Sequence, residues 1–172
     1  MSRATENAPE GGRVDEDDLL LERQLCFALS VASRSVVAAY RPVLEPMGLT
    51  HPQYLVMLAL WERSPRTVRD VSEALLLEPA TMTPLLKRLE DAGLVTRARQ
   101  VGNERALDVA LTPAGRALRE KALAVPVTMM ARLGITREDA EELHGSMMKL
   151  IAAAQASREA DSAQRAHSPS AP

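Results

Sequence analysis

Aromatic side chains are almost missing from this chain, which has one Phe, one Trp and two Tyr in 172 residues. A core must therefore be built from Leu, Val, Ala and Met, a palette that favours helices packed on helices over a β-sandwich. Cysteine is scarcer still: Cys26 stands alone, which excludes an internal disulfide and any multi-cysteine metal site. No apolar run approaches the roughly 18 residues that span a bilayer. The opening "MSRATENAPEGGRVDEDD" also lacks the apolar core of a signal peptide. A cytoplasmic protein with no membrane partner is the expectation. Nor does one charge sign dominate, since the net charge is −2, so any surface for nucleic acid must be local. No phosphate loop, metal cluster or hydrolytic triad stands out; no cofactor is implied and no enzyme is expected.

What remains has the length of one domain. Residues 1–14 are rich in Gly, Pro and charge, and residues 160–172 ("ADSAQRAHSPSAP") are small and polar, so both are expected to be disordered tails around a domain over 15–159. Within it, Leu25, Leu29, Ala32, Val36 and Val43 recur at helical spacing, which predicts a first helix over about 17–41 ended by Arg41-Pro42. "THPQYLVMLALWER" opens with Thr50 and Gln53 at capping-box spacing and Pro52 in the first turn. "TVRDVSEALL" predicts a third helix over about 67–76. In "LEPATMTPLLKRLEDAGLV", Leu85, Leu86 and Leu89 face inward and Gly93 is a stop. Its start is open: Pro79 suits a first helical position, but then Pro84 removes an internal hydrogen bond; alternatively Thr83 caps and Pro84 opens the helix. Two short strands follow, about 94–100 and 106–111, joined by "VGNER" with Gly102 and Asn103. Thr112-Pro113 opens a helix to about Leu133 that should bend near Pro126, and Thr136 with Asp139 starts a last helix over about 137–158. The order is mainly α with a small β-hairpin wing, a winged helix-turn-helix.

Charge is distributed to match. Between Arg63 and Arg105 eight basic residues face six acids, a local +2, whereas residues 1–22 carry two arginines and seven acids, −5. Phosphate contacts need such a local basic face. Thr81, Thr83, Lys87 and Arg88 suit a recognition helix in a major groove. Arg97 lies on the first strand, and Arg105 at the hairpin tip suits a narrow minor groove. The competing reading is a solvated basic hairpin beside a surface helix, a scaffold that binds no DNA.

The stretches "QLCFAL", "AYRPVLEPMGLTHPQYLVMLALWE", "TMTPLLKRLEDAGLVTR", "NER" and "LTPAGRALREKA" carry a resemblance over about 22–154. In them the chain resembles the MarR family of winged-helix regulators, and within it the organic-hydroperoxide-sensing (OhrR) repressors of the single-cysteine type. The resemblance implies a DNA-binding winged helix over about 51–111 and dimerisation helices over about 17–41 and 112–158. It also implies a homodimer on a palindromic double-stranded DNA operator. By the same resemblance Cys26 is the thiol that organic hydroperoxides oxidise, Tyr40 is a tyrosine that hydrogen-bonds it, and Arg105 is the wing arginine. Three positions depart from the family pattern. Ser30 and His51 stand where tyrosines are common, and Asn103 stands where the wing often has an acid.

Spacing adds a constraint. Cys26 and Tyr40 are 14 residues apart, almost whole turns, so they share a helix face. A continuous helix separates them by about 21 Å at roughly 1.5 Å per residue. A contact between them needs another chain or a folded-back segment, and antiparallel pairing across a two-fold axis would supply it twice. Ser30 adjoins Cys26 one turn on, and His51 reaches the thiol only across the fold, as imidazolium or as a neutral donor. Oxidation by an organic hydroperoxide would yield a sulfenic acid; with no second cysteine, the only protein disulfide is Cys26 to Cys26 between subunits, and stable inactivation needs a low-molecular-weight thiol as cap or overoxidation. Three readings compete: Cys26 as a small buried core residue; a repressor released by a small aromatic ligand in a pocket lined by Met57, Met129, Met130, Met147 and Met148; and a thiol peroxidase.

Overall fold

The computed structural model describes residues 16–100 and 103–167. They form two compact parts that divide within the first long helix, one ending at Ala38 and one beginning at Ala39. The expected tails over 1–14 and 168–172 lie outside the described residues.

The first part begins differently from the expected helix at Asp17. Two short 3-10 turns, Glu16–Leu19 and Leu21–Arg23, precede α1 (Leu25–Leu44). Asp17 and Asp18 are weak helix formers that compete for nearby backbone groups. Leu19, Leu20 and Leu21 are 80%, 44% and 63% exposed, so no packing repays helix nucleation there. At its other end α1 runs through Pro42 instead of stopping at it, and the burial of Leu44 holds the last turn.

In the second part Thr50 and Gln53 form the expected capping box of α2 (His51–Glu62), the Thr50 N–H donating to Gln53 Oε1 at 2.8 Å. An unexpected strand, β1 (Arg66–Thr67), leads into α3 (Val68–Ala74), where Thr67 and Asp70 cap each other reciprocally. α3 is three residues shorter than predicted, one at its start and two at its end, and Leu76, just beyond it, takes a left-handed φ of 53°. α4 (Pro79–Asp91) settles the choice of start: Pro79 is its first residue and Pro84 lies inside it. Met82, Leu86 and Leu89 are fully buried. At about 2 kcal/mol each they outweigh the roughly 3 kcal/mol that an internal proline costs. Gly93, at φ +69°, ends the turn after α4 as expected.

The wing is a three-stranded antiparallel sheet rather than a bare hairpin, in the order β1-β3-β2, with β2 (Val95–Gln100) and β3 (Asn103–Leu111). Short strands like β1 carry too little periodicity to be legible; Arg66 and Thr67 simply pair with Val109 and Asp108. β3 begins three residues earlier than expected. Its register slips, from Arg99 opposite Leu107 to Gln100 opposite Asn103, leaving Arg105 within the strand's irregular end rather than at the turn. The helix expected to bend near Pro126 is instead two, α5 (Pro113–Ala122) and α6 (Val125–Leu133). Pro126 lacks the N–H for a fourth-preceding carbonyl, a loss that costs nothing in a first turn. α7 (Arg137–His167) extends nine residues past its predicted end, so the stretch 160–167 expected as tail is helical. "AAAQASREADSAQRA" is rich in Ala, Gln, Glu and Arg, which are good helix formers, and the first proline after it is Pro169. The buried core lies between Leu44 and Met129, centred on Val56, Met57 and Leu60 of α2 against Val71, Leu86, Leu89, Val95 and Val109.

Candidate functional site

Burying Met82, Leu86 and Leu89 leaves the opposite arc of α4 to solvent, because 3.6 residues make a turn. Thr81, Thr83, Lys87 and Arg88 all lie exposed on that arc. Thr83 also donates its hydroxyl to the Pro79 carbonyl at 3.3 Å, which covers part of the backbone near the proline. These four residues form one polar surface on a helix with a firmly anchored back.

Arg97 is placed otherwise. Its Nη2 lies 2.6 Å and its Nε 3.0 Å from Glu90 Oε2, and its backbone N–H donates to Glu90 Oε1 at 3.2 Å. Both side chains are partly buried, and the guanidinium holds the Glu90 carboxyl below the usual carboxylate range. Three other arginines of the basic stretch also carry ion pairs, Arg63 with Asp70, Arg66 with Glu62 and Arg69 with Glu73. The side chain of Arg105 lies outside the described residues.

The root of the wing is knotted to the helices on both sides. Thr112 caps α5 by accepting from the Gly115 N–H at 3.0 Å, while its hydroxyl lies 2.7 Å from the Gly93 carbonyl and 3.1 Å from that of Leu94. The Gly115 carbonyl accepts from the Trp61 indole at 2.8 Å. A Cβ on Gly115 would sit 2.1 Å from the Leu94 carbonyl oxygen, so only glycine fits. Sequence reasoning missed Glu90, Trp61 and Gly115. The one local signal was an acid in the last helical turn, seven residues before a strand arginine.

Of the four residues expected to sense, Cys26 and Ser30 are exposed on the first half of α1. Within a single chain Cys26 is thus no core filler. Tyr40 and His51 meet in the second part, ring centres 5.1 Å apart at 66°, and Tyr54 and Trp61 continue the row at 6.1 and 6.3 Å. Burial lowers the His51 pKa and raises that of Tyr40, so near neutral pH a neutral imidazole faces a protonated phenol; the imidazolium alternative is disfavoured. Tyr40 also lines a cavity of about 380 Å³ with Met129, Met130, Leu133, Ile135 and Arg137. Of the other methionines proposed for a pocket, Met57 is core, and Met147 and Met148 are exposed. Among the described residues no helix is long and apolar enough to cross a membrane.

The MarR family matches residues 49–107, the stretch that holds α2, α3, α4 and most of the wing. The organic hydroperoxide resistance transcriptional regulator of Bacillus subtilis is 40% identical over 135 residues, which span 78% of this chain and 92% of that one. The solved structure of reduced AbfR bound to DNA superposes with a TM-score of 0.65 at 32% identity, covering 76% of this chain and 91% of that one. CouR from Rhodococcus jostii RHA1, solved with p-coumaroyl-CoA, superposes with a TM-score of 0.66 at 27% identity over 77% and 94% of the two chains. With its winged-helix fold and its likeness to transcriptional regulators over most of their length, this chain belongs to the MarR family and is a DNA-binding transcriptional regulator.

Proposed function

We propose that the protein is a homodimeric repressor that releases its operator when an organic hydroperoxide oxidises Cys26. The observation that carries this reading is a lone thiol, exposed on the first half of α1, on a helix whose Leu25, Phe27, Val31 and Val37 are also exposed. Apolar side chains left exposed on a helix in that number are suited to burial against a second copy. Because fourteen residues of helix separate Cys26 from Tyr40, the phenol that serves the thiol comes from the partner subunit. Tyr40 is held beside His51 as a neutral donor, and Ser30 lies one turn from the cysteine.

The chemistry balances without a cofactor. The Cys26 thiolate attacks the terminal peroxide oxygen, the O–O bond breaks, and the alkoxide leaves with a proton as the alcohol; Cys26 becomes a sulfenic acid. A low-molecular-weight thiol then displaces water to give a mixed disulfide, as the chain has no second cysteine to resolve it. A polar adduct at an apolar helical interface alters the packing of the two copies, and with it the spacing of two recognition helices on a palindrome. Thr81, Thr83, Lys87 and Arg88 read the major groove in this scheme, and Arg105 serves the wing. The name of the Bacillus subtilis relative supports the inducer class.

The cavity beside Tyr40 favours a second reading, in which a small aromatic molecule occupies it and shifts the dimer; CouR's solved complex with p-coumaroyl-CoA lends it support. One experiment separates the two. The reduced protein is bound to its own upstream DNA, then given one equivalent of cumene hydroperoxide and a small thiol, with Cys26→Ser alongside. Release by the wild type and retention by Cys26→Ser is the expected outcome. If Cys26→Ser also releases, or neither does, the thiol is not the switch and the cavity becomes the site to probe.

A further inference from the structure

We infer that Arg97 is a positioning residue for DNA recognition and not a phosphate contact: with Glu90 it forms a clamp that sets the tilt of the wing against the recognition helix. The basic stretch contains eight Lys and Arg residues, and counting charge alone would assign Arg97 to the DNA surface. Its geometry assigns it elsewhere. Two guanidinium nitrogens converge on one carboxylate oxygen of Glu90, and the Arg97 backbone N–H takes the other oxygen. A fork of that kind fixes orientation as well as distance. The pair is only 25% and 35% exposed, so it is screened less than a surface ion pair.

Where the clamp sits decides what it does. Glu90 is in the last turn of α4 and Arg97 is the third residue of β2. Between them the chain turns at Gly93 and is tied at Gly93 and Leu94 by the Thr112 hydroxyl. One tie would leave a hinge; a second tie, on the strand itself, fixes the angle. Gln100 is three residues beyond Arg97, about 10 Å at roughly 3.3 Å per residue. A tilt change of about 10° at the clamp moves that end of the wing by nearly 2 Å on the order of simple lever geometry, more than a hydrogen bond tolerates.

The two roles predict opposite signs for one substitution. A duplex selected from a random-sequence pool by the wild-type protein serves as the probe, and each variant's active fraction is fixed by stoichiometric titration. If Arg97 were a phosphate contact, Glu90→Gln would free it and remove a nearby negative charge, and binding would tighten. The clamp predicts that Glu90→Gln weakens binding by about tenfold, the size of one lost base contact. Arg97→Gln should weaken it equally, the double variant no further. The salt dependence of binding should stay unchanged in all three, and hydroxyl-radical protection should be lost at the outer minor-groove flanks while the major-groove pattern survives. Should Glu90→Gln fail to fold, Glu90→Asp keeps the charge and shortens the reach; it weakens binding under the clamp and leaves it unchanged otherwise. Tighter or unchanged binding by Glu90→Gln overturns the inference. So does a salt slope that falls by about 0.9 in Arg97→Gln, the mark of one lost phosphate contact. A wild-type protein that selects no duplex overturns DNA reading itself, and the clamp with it.

Discussion

The first half of α1 and the winged helix solve opposite problems. From α2 to β3 the chain closes on itself: Val56, Met57, Val71, Met82, Leu89 and Val109 are fully buried, and side-chain caps hold the starts of α2 and α3. In α1 the only buried residue is Leu44, while Leu25, Phe27, Val31 and Val37 are between 37% and 59% exposed. The winged helix finds its partners within one chain. α1 leaves these apolar side chains largely in solvent. Cys26 lies among those exposed side chains, in the region that the proposed dimer would cover.

The largest test of that contrast is to charge the open face. Phe27→Glu with Val31→Glu should leave helix content intact but convert a dimer to monomers by sedimentation. Operator affinity should fall by about a hundredfold or more, because two half-sites no longer bind as one. Unchanged association would mean the open face serves something other than dimerisation. The matching blow to the closed region is Gly115→Ala. Its Cβ would stand 2.1 Å from the Leu94 carbonyl oxygen, and backbone must move. A loss of about 3 kcal/mol is expected, seen as a melting temperature lower by roughly 6–12 °C, with the dimer still assembled. A melting temperature within a degree of wild type would contradict the tight approach.

The smallest effect concerns His51. Burial holds its pKa below the ordinary value of 6.5, so as pH falls the unfolded chain binds a proton before the folded one does. Its contribution to stability is present above pH 6.5 and is lost as pH falls through the lowered folded value. The depressed carboxyls of Glu90 and Asp139 act lower, below their ordinary values of 4.5 and 3.8. His51→Gln should therefore flatten melting temperature against pH just below 6.5 and leave the acid limb unchanged. A profile identical to wild type would remove His51 from the account.

How much of this was legible depended on the range of the interaction involved. Thr50 with Gln53, Thr136 with Asp139 and the stop at Gly93 are contacts of a few residues, and each formed where its spacing implied. The polar arc of Thr81, Thr83, Lys87 and Arg88 followed from helical period alone. Errors arose where a distant partner overrode a local signal. Pro42 reads as a stop and Pro84 leaves the start of its helix open, yet Leu44 on one side and Met82, Leu86 and Leu89 on the other carry their helices through. β1 exists only because β3 lies beside it.

The sequence by itself determined most of the helices, the hairpin of the winged helix, the single thiol and the family, because periodicity, capping and motif are local and survive without coordinates. Tertiary structure alone decided that Arg97 answers to Glu90, that Trp61 ties to Gly115 across 54 residues, and that Tyr40 rests against a neutral His51. Those are choices among several chemically competent partners, and only the packed backbone brings one of them within hydrogen-bonding or van der Waals reach.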